Sequence, residues 1–499
     1  MADRYWIGGD ATNPTHFSVA ANWSASSGGA GGASVPGVSD AVIFDTNSNG
    51  DNCVLTANIS VLSINSDANH SANFDQAGYT ISTVNDHKFE GTGNVTLDAA
   101  VTMTGDGDFY LKNTLTSATF SDCDLDLKGT GLFDVEWQNQ YFKSLTCAYA
   151  SKTTTKAGLG NNNGVQQLTL GTGTFTVSDD LSIRGSNVTP IVNAGATING
   201  NSRIEVRWEG GTATDVVLIP AMTFSGTGAN GLYLEFYSDP DGATLKLTGN
   251  IVCVNEFKAL MNGGQEGIFD TDGYNITADD VLIAVVGTSS EMTAHFRDSA
   301  IDCTDFRLID GGGRDSVYNF NSSTINFTGD FTITKTGGGT IAINPGTSVV
   351  TADGTGTQQI TFGGFSLNIL KTTNTAGELQ ILDASDCAEW DFAPAATIKF
   401  KESVSHTLSS YTTGDIDGTS GNLATLRSLS DGTAWDFVNP ASMSVSYVDV
   451  KDSNATNEVD ASDGTNVDST GNTNWNFASF LAAWAAANSN KVLINGEQI

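Results

Sequence analysis

The sequence is poor in positive charge and has no long apolar run. Lys and Arg number 22 against 56 Asp and Glu, so the formal net charge is -34. A field of this sign repels polyanions, which argues against nucleic-acid binding as the main function. No stretch approaches the length of a membrane-spanning helix, so we expect no membrane insertion.

Cysteine and proline are also scarce. The 8 prolines are too few for a collagen-like or disordered chain. The six cysteines form no CxxC pair and no Cys/His cluster, so zinc and redox sites have no support. We expect them to be small buried apolar side chains, with a structural disulfide as the alternative. The five histidines show no metal-ligand spacing.

The opening decapeptide, MADRYWIGGD, has no apolar region of the kind found in signal peptides. If the protein acts outside a cell, two interpretations are open: assembly into a virus particle in the cytoplasm, or a sequence that begins after a signal peptide.

What the sequence does have is a period-2 alternation of apolar residues between turn-rich patches. TFTVSDDLSI and TINFTGDFTI each place four apolar side chains on one face. The 55 glycines and many Thr, Asn, Ser and Asp residues supply turns. The pattern predicts short strands, each with one buried face.

Imperfect repeats indicate how these strands are arranged. Residues 168–183 align without a gap with 318–333, and FDQAGYTIST (74–83) matches FDTDGYNITA (269–278). Such copies are typical of stacked units of about 25 residues that cannot bury their apolar faces alone. We predict an all-β fold, a single-chain parallel β-solenoid (β-helix).

The chain is expected to have three parts. Residues 1–50 form an N-terminal cap or attachment segment, 51–440 the solenoid, and 441–499 a C-terminal cap. Within that cap FASFLAAWAAANS predicts a short C-terminal helix over 477–489, because its large apolar residues share one face. The helix closes the end of the stack in one interpretation and docks a partner or a second copy in the other.

Residues 4–48 resemble the start of a family of β-solenoid surface and phage structural proteins. The similar features are a Tyr-Trp-x-Gly-Gly entry, a Trp-Ser, a Gly-rich run, a Val-Pro and a strand that ends in Phe-Asp. The resemblance covers about a tenth of the chain. It implies a structural or receptor-binding role and no catalytic site. In the cap, Trp6 and Trp23 are expected to cover the first coil.

Three segments place an acid near an aromatic residue and predict a strip for glycans, since aromatic faces cover sugar rings and carboxylates accept hydroxyl hydrogen bonds. The alternative is plain alternation, with one residue of each pair in the core. The predicted strip residues are Glu136, Trp137, Glu205, Trp208, Glu235 and Tyr237. No paired-acid motif stands out, so we expect no enzymatic activity. A polysaccharide depolymerase or lyase is a third hypothesis, after the phage component and the adhesin described below.

An acidic run near the C-terminus resembles part of a calcium loop but lacks the ligand order of an EF-hand. Its members are Asp449, Asp452, Glu458, Asp460, Asp463 and Asp468. We expect a solvated loop and no cofactor, with Ca²⁺ as the alternative.

These observations predict a tailed-phage virion component, either a tail fibre, a tailspike-like protein or a capsid-attached appendage. Its partners are other virion proteins and host surface glycans, and a homo-oligomer is compatible with the pattern. A bacterial cell-surface adhesin is the second hypothesis.

Overall fold

The structure is a computed structural model, and it describes residues 2–48, 50–112, 114–136, 140–147, 152–154, 163–178, 180–209, 212, 214–227, 230–237, 242–264, 266–477, 493–494 and 497–498. The fold is all-β, with about 16 coils of stacked parallel strands, as the sequence predicts. Contacts divide the chain into two compact units, Met1–Phe269 and Asp270–Ile499. Two short 3-10 helices, Ala20–Asn22 and Thr46–Ser48, lie in the first unit.

The strands of the first unit are short and closely spaced. In chain order they are β1 (Ala2–Trp6), β2 (Trp23–Ser24), β3 (Asp40–Phe44), β4 (Cys53–Val54), β5 (Ile59–Val61), β6 (Ser63–Ser66), β7 (Phe74–Asp75), β8 (Ile81–Thr83), β9 (His87–Phe89), β10 (Asn94–Thr96), β11 (Val101–Met103), β12 (Phe109–Leu111), β13 (Ser117–Thr119), β14 (Asp124–Leu127), β15 (Leu132–Val135), β16 (Gln140–Phe142), β17 (Ser144–Cys147), β18 (Lys152–Thr154), β19 (Asn163–Val165), β20 (Leu168–Leu170), β21 (Gly173–Val177), β22 (Leu181–Gly185), β23 (Ile191–Asn193), β24 (Ala196–Gly200), β25 (Ile204–Trp208), β26 (Val216–Ile219), β27 (Met222–Phe224), β28 (Gly231–Phe236), β29 (Ala243–Leu247), β30 (Ile251–Val252), β31 (Glu256–Met261) and β32 (Glu266–Asp270).

In the first unit, strands three apart in the chain stack in parallel. Val42 of β3 faces Ile64 of β6, which faces His87 of β9. The strands β22, β25, β28 and β31 stack by the same rule. Side-chain hydrogen bonds between neighbouring coils join residues 19 to 30 apart, which brackets the predicted coil of about 25 residues.

Inside the first unit, aromatic rings stack from coil to coil. The ring centre of Phe109 lies 5.4 Å from that of His87 and 6.0 Å from that of Phe133, and both pairs are nearly parallel. All three side chains are buried. Truncating such a core ring costs about 3–5 kcal/mol. The inward positions therefore stabilise the fold, and the outward positions are available for other roles.

Many acidic residues hold the corners between coils. Asp86 Oδ1 accepts the N–H of Asp108, and Asp108 Oδ1 accepts the N–H of Leu132, at 3.0 and 2.9 Å. Lys88 Nζ lies 3.0 Å from Asp86 and 3.1 Å from Asp108. Backbone donors at a turn need such acceptors. Part of the acidic excess is thus explained by the coil corners.

The predicted repeats are structural repeats. Segments 74–83 and 269–278 make the same tight turn, whose two central residues have φ of 51° and 79° at Ala77–Gly78 and 50° and 84° at Asp272–Gly273. The tyrosine that follows donates its N–H back three residues in each copy, at 3.1 and 2.9 Å. Two positive φ values in succession are typical of a type I′ turn. The apolar positions shared by 168–183 and 318–333 are buried in both copies.

The N-terminal segment packs its two tryptophans together. Trp6 and Trp23 are fully buried, and their rings meet edge to face at 5.0 Å. Strand β1 lies antiparallel to β2 and parallel to β3, so it adds a layer to the first coil. A Cβ at Gly31 would lie 2.2 Å from the carbonyl oxygen of Ala21, which explains the glycine-rich crossing there.

The strands of the second unit range from 2 to 11 residues in length. They are β33 (Ile276–Val285), β34 (Glu291–His295), β35 (Ala300–Asp310), β36 (Ser316–Asn319), β37 (Thr324–Phe327), β38 (Phe331–Lys335), β39 (Ile341–Asn344), β40 (Val349–Ala352), β41 (Gln358–Thr361), β42 (Ser366–Thr372), β43 (Leu379–Ile381), β44 (Ser385–Phe392), β45 (Thr397–Phe400), β46 (Ser405–Leu408), β47 (Ala424–Ser428), β48 (Trp435–Val438), β49 (Met443–Ser444), β50 (Val448–Val450), β51 (Ser453–Ala461), β52 (Val467–Asp468), β53 (Thr473–Phe477), β54 (Leu493–Ile494) and β55 (Glu497–Gln498).

Parallel stacking extends through the region expected to be the C-terminal cap. Strand β51 pairs in parallel with both β48 and β53, so the coils continue past residue 440 to Phe477. The helix predicted over 477–489 lies outside the described residues, apart from Phe477, which ends β53. Strands β54 and β55 pair antiparallel.

All six cysteines are buried thiols without a disulfide, as the sequence predicts. Burial raises the pKa of the Cys253 thiol to about 12 and that of Cys123 likewise to about 12. Thiols in this environment are poor nucleophiles.

Candidate functional site

Three of the six predicted strip residues lie on two stacked strands, and a fourth directly follows one of them. Glu205 and Trp208 belong to β25, Glu235 belongs to β28, and Tyr237 directly follows β28. Strands β25 and β28 pair in parallel, and Arg207 faces Glu235 in their register. The parallel stacking therefore brings together side chains that are about 30 residues apart in sequence.

Trp208 is part of the core. Alternation along β25 places Trp208 on the same side as Ile204 and Val206, and it is 1% exposed. A ring buried this deeply offers no face to a sugar, so we correct the expectation that it forms part of a glycan surface. Glu205 and Arg207 have the opposite parity and point outward.

Glu136 and Trp137 do not join this group. Trp137 lies outside the described residues. Glu136 follows β15, and its Oε1 accepts a hydrogen bond of 2.9 Å from the Tyr110 hydroxyl. Burial, and after it the Glu136 carboxylate, raise the pKa of Tyr110 well above its usual value.

A small groove of about 190 Å³ is lined by Lys88, Glu90, Asp108, Tyr110, Leu132 and Asp134.

The side chains of β22, β25, β28 and β31 that point away from the apolar core, with Arg203 and Tyr237 beside these strands, form a continuous charged and aromatic strip, which we call the outer strip. Most of it is buried: Ser182, Arg184, Glu205, Tyr233 and Glu235 have little exposed area. Its members are Ser182, Arg184, Arg203, Glu205, Arg207, Tyr233, Glu235, Tyr237 and Lys258.

Arg207 is the centre of the outer strip. Its Nε lies 3.2 Å from Glu205 Oε1 and 2.5 Å from Glu235 Oε2. Its guanidinium carbon lies 4.7 Å from the centre of the Tyr237 ring. Burial alone would lower the pKa of Arg207, but the two carboxylates raise it above its usual value. Arg207 therefore stays charged and joins neighbouring coils.

Both carboxylates beside Arg207 are buried and have further hydrogen bonds. Glu205 is 6% exposed and accepts a bond of 2.9 Å from the Ser182 hydroxyl. Glu235 is 4% exposed and accepts a bond of 2.9 Å from Asn262 Nδ2. Buried charges are tolerated when they are paired in this way.

The two tyrosines of the outer strip differ in access. Arg203 and Lys258 each lie 4.4 Å from the centre of the Tyr233 ring, and Tyr233 is buried. The Tyr237 ring meets Arg207 and is 41% exposed. Because Tyr237 is partly exposed, its ring offers an aromatic surface on which a ligand can stack.

Sequence reasoning missed the basic members of the outer strip. Arg184, Arg203 and Arg207 are three of the eight arginines in the chain, and they lie within one short segment. In a chain of net charge -34, that clustering was a signal for a charged site. Their partners could not be read from the sequence, because the register between coils depends on the lengths of the intervening loops.

The acidic run near the C-terminus is not the solvated loop that the sequence predicts, because Asp449, Glu458, Asp460 and Asp468 lie on strands β50, β51 and β52. Asp463 accepts hydrogen bonds from the N–H of Thr465 at 2.9 Å, from Asn466 Nδ2 at 2.9 Å and from the Ser446 hydroxyl at 2.6 Å. Asp449 contacts Arg427. In the part of the chain that the structure describes, no group of three or more His, Cys, Asp or Glu residues is placed to hold a metal ion.

The described residues include no helix that is both long enough and apolar enough to cross a membrane. No family model matches this sequence, and no curated protein and no solved structure matches it either.

Proposed function

We propose that this chain is a non-enzymatic structural or receptor-binding protein of a tailed-phage particle, and that the exposed Tyr237 of its outer strip binds host surface glycans. The parallel coils and the resemblance of residues 4–48 to phage structural proteins support the setting. A bacterial adhesin with the same strip is the alternative setting, and the glycan chemistry is the same in both.

One observation carries the glycan proposal: Tyr237 is 41% exposed while Arg207 holds its ring from one side. Arg207 is itself fixed by Glu205 and Glu235. A tyrosine that is already oriented loses little conformational freedom when a sugar stacks on it. Its hydroxyl group and the flanking polar groups then supply hydrogen bonds to sugar hydroxyls.

A polysaccharide depolymerase is the second candidate, favoured by the closeness of two carboxylates. Glu205 and Glu235 approach the same atom of Arg207, at 3.2 and 2.5 Å. Their facing oxygens are therefore less than about 6 Å apart, near the carboxyl separation of retaining glycosidases. However, one of the two acids must donate a proton in that mechanism, and here both are paired with a guanidinium.

The test of glycan binding is an array of bacterial surface polysaccharides probed with the purified chain and two variants. Tyr237→Ala is expected to lose most of the signal. Tyr274→Ala is the matched control, because Tyr274 is 37% exposed at a turn far from the outer strip in sequence. Equal signals from wild type and Tyr237→Ala would contradict the proposal.

The enzymatic candidate has its own readout. Release of reducing sugar from a bound polysaccharide, abolished by Glu235→Gln or by Glu136→Gln, would establish a depolymerase. We expect no release. Mass spectrometry of purified particles tests the virion setting, and absence of the chain from them would favour the adhesin.

A further inference from the structure

A second polar groove lies beside the outer strip in the first unit. It has a volume of about 300 Å³ and is lined by Asp124, Lys143, Ser144, Gln166, Gln167, Ser186 and Asn187. Lys143 Nζ is paired with Asp124 at 2.9 Å. The other lining side chains are uncharged amides and hydroxyls, and both Gln166 and Ser186 are exposed.

The groove is in line with Tyr237 across the coils. Gly185, Trp208 and Phe236 are paired in register on β22, β25 and β28. The residues that follow them are Ser186, Glu209 and Tyr237. The N–H of Tyr237 bonds the carbonyl of Trp208 at 3.2 Å, and the N–H of Glu209 bonds that of Gly185 at 3.3 Å. The line therefore advances by one strand spacing, about 4.8 Å, at each step.

We propose that this groove is a second subsite, and that the outer strip and groove together bind a neutral, linear glycan which crosses the coils from Tyr237 to Gln166. The inference rests on the glycan binding proposed above and adds the class of glycan and its direction. The repeat of an extended pyranose chain is close to the strand spacing, so each coil along the line meets about one sugar.

The charges of the site favour a neutral ligand. Arg203 contacts Asp180 at 3.1 Å, Lys258 contacts Glu256 at 2.6 Å, and Arg184 lies 3.8 Å from Glu209. Arg207 and Lys143 are likewise paired with carboxylates. A uronic acid or sialic acid needs a cation that is free to pair with it, and it also approaches against a net charge of -34. Amides and hydroxyls, in contrast, match sugar hydroxyls as both donors and acceptors.

The test measures affinity against glycan length. The probe is the neutral polysaccharide with the strongest array signal, cut into fragments of one to six sugars, with oligogalacturonates of the same lengths for comparison. The wild type is expected to bind longer neutral fragments progressively more tightly. The double variant Gln166→Ala/Ser186→Ala is expected to lose roughly tenfold in affinity for the longest fragment and almost nothing for the shortest. Both residues are exposed, so we expect the variant to fold normally. An unchanged melting temperature confirms this.

The outcomes separate this inference from the proposed function. If the double variant binds the longest fragment as tightly as wild type, or if oligogalacturonates bind more tightly than neutral fragments, the second subsite is overturned while Tyr237 stands. If Tyr237→Ala leaves binding of every fragment unchanged, the glycan strip itself fails. If no neutral glycan on the array binds, both fail.

Discussion

Arg207 lies 4.7 Å from the ring centre of Tyr237 and joins two buried carboxylates on adjacent coils. A single side chain thus orients the exposed ring and pairs with both Glu205 and Glu235. The same contacts link ligand binding to the stability of the coil stack.

Replacing Arg207 should therefore cost stability as well as binding. Arg207→Met leaves Glu205 and Glu235 buried without a cation, and we expect the free energy of unfolding to fall by about 3 kcal/mol. Urea unfolding measures this change.

The matched control is the triple variant Arg207→Met/Glu205→Gln/Glu235→Gln. Because it removes the unpaired charges, it should recover most of the lost stability while glycan binding stays weak. If Arg207→Met were as stable as wild type, the ion pairs of Arg207 would contribute nothing to the free energy of unfolding.

Trp208 and Tyr237 provide a test of which aromatic side chains face inward. Trp208→Ala opens a cavity in the core and should lower the free energy of unfolding by about 3–5 kcal/mol. Tyr237→Ala removes an exposed ring and should lower it by less than about 1 kcal/mol. Thermal or urea unfolding of the two variants measures the contrast, and similar losses would contradict the assigned faces.

The buried His87 makes the free energy of unfolding depend on pH. Burial lowers the pKa of His87 from its ordinary value of 6.5 to about 3. The unfolded chain therefore takes up a proton near pH 6.5 that the folded chain refuses until about pH 3, so stability is lost as pH falls through this window. His70 and His406 contribute in the same direction, since burial lowers the pKa of each to about 4.

His87→Phe should reduce this acid sensitivity. Phenylalanine fits a stack that already contains Phe89 and Phe109. At pH 7 and near pH 4.5 the free energies of unfolding of the variant and wild type are compared. The difference in favour of the variant should be about 2 kcal/mol larger near pH 4.5 than at pH 7. Unfolding curves at the two pH values test this, and parallel losses in both proteins would refute it.

The repeated turn offers a stabilising substitution. Ala77 has φ of 51°, a conformation that costs an alanine about 1 kcal/mol and that asparagine adopts readily. Ala77→Asn should raise the free energy of unfolding by up to about 1 kcal/mol. Ala57→Asn is the control at an exposed alanine of ordinary φ, where little change is expected. Destabilisation at Ala77 would mean that the turn has another conformation in solution.

The alternation of apolar residues, together with the aligned repeats, was sufficient to predict the stacked parallel coils. It was also sufficient to place Trp208 inside, because Ile204, Val206 and Trp208 share one parity. The strip was predicted instead from acids and aromatics that are adjacent in sequence. Residues an odd number of positions apart on a strand point to opposite faces, so that criterion selected the core residue Trp208 together with the outward Glu205.

The pairing of Arg207 with Glu235 needed the structure. It depends on the register between β25 and β28, and that register is set by the turns between them. Period-2 patterning fixes which side chains point outward but leaves open which of them meet across coils.

The most direct test of the central claim is a crystal structure of the chain with its tightest-binding neutral glycan. We predict a sugar ring stacked on Tyr237, with the chain of sugars running across the coils towards Gln166. A glycan bound elsewhere, with Tyr237 and the groove unoccupied, would contradict it.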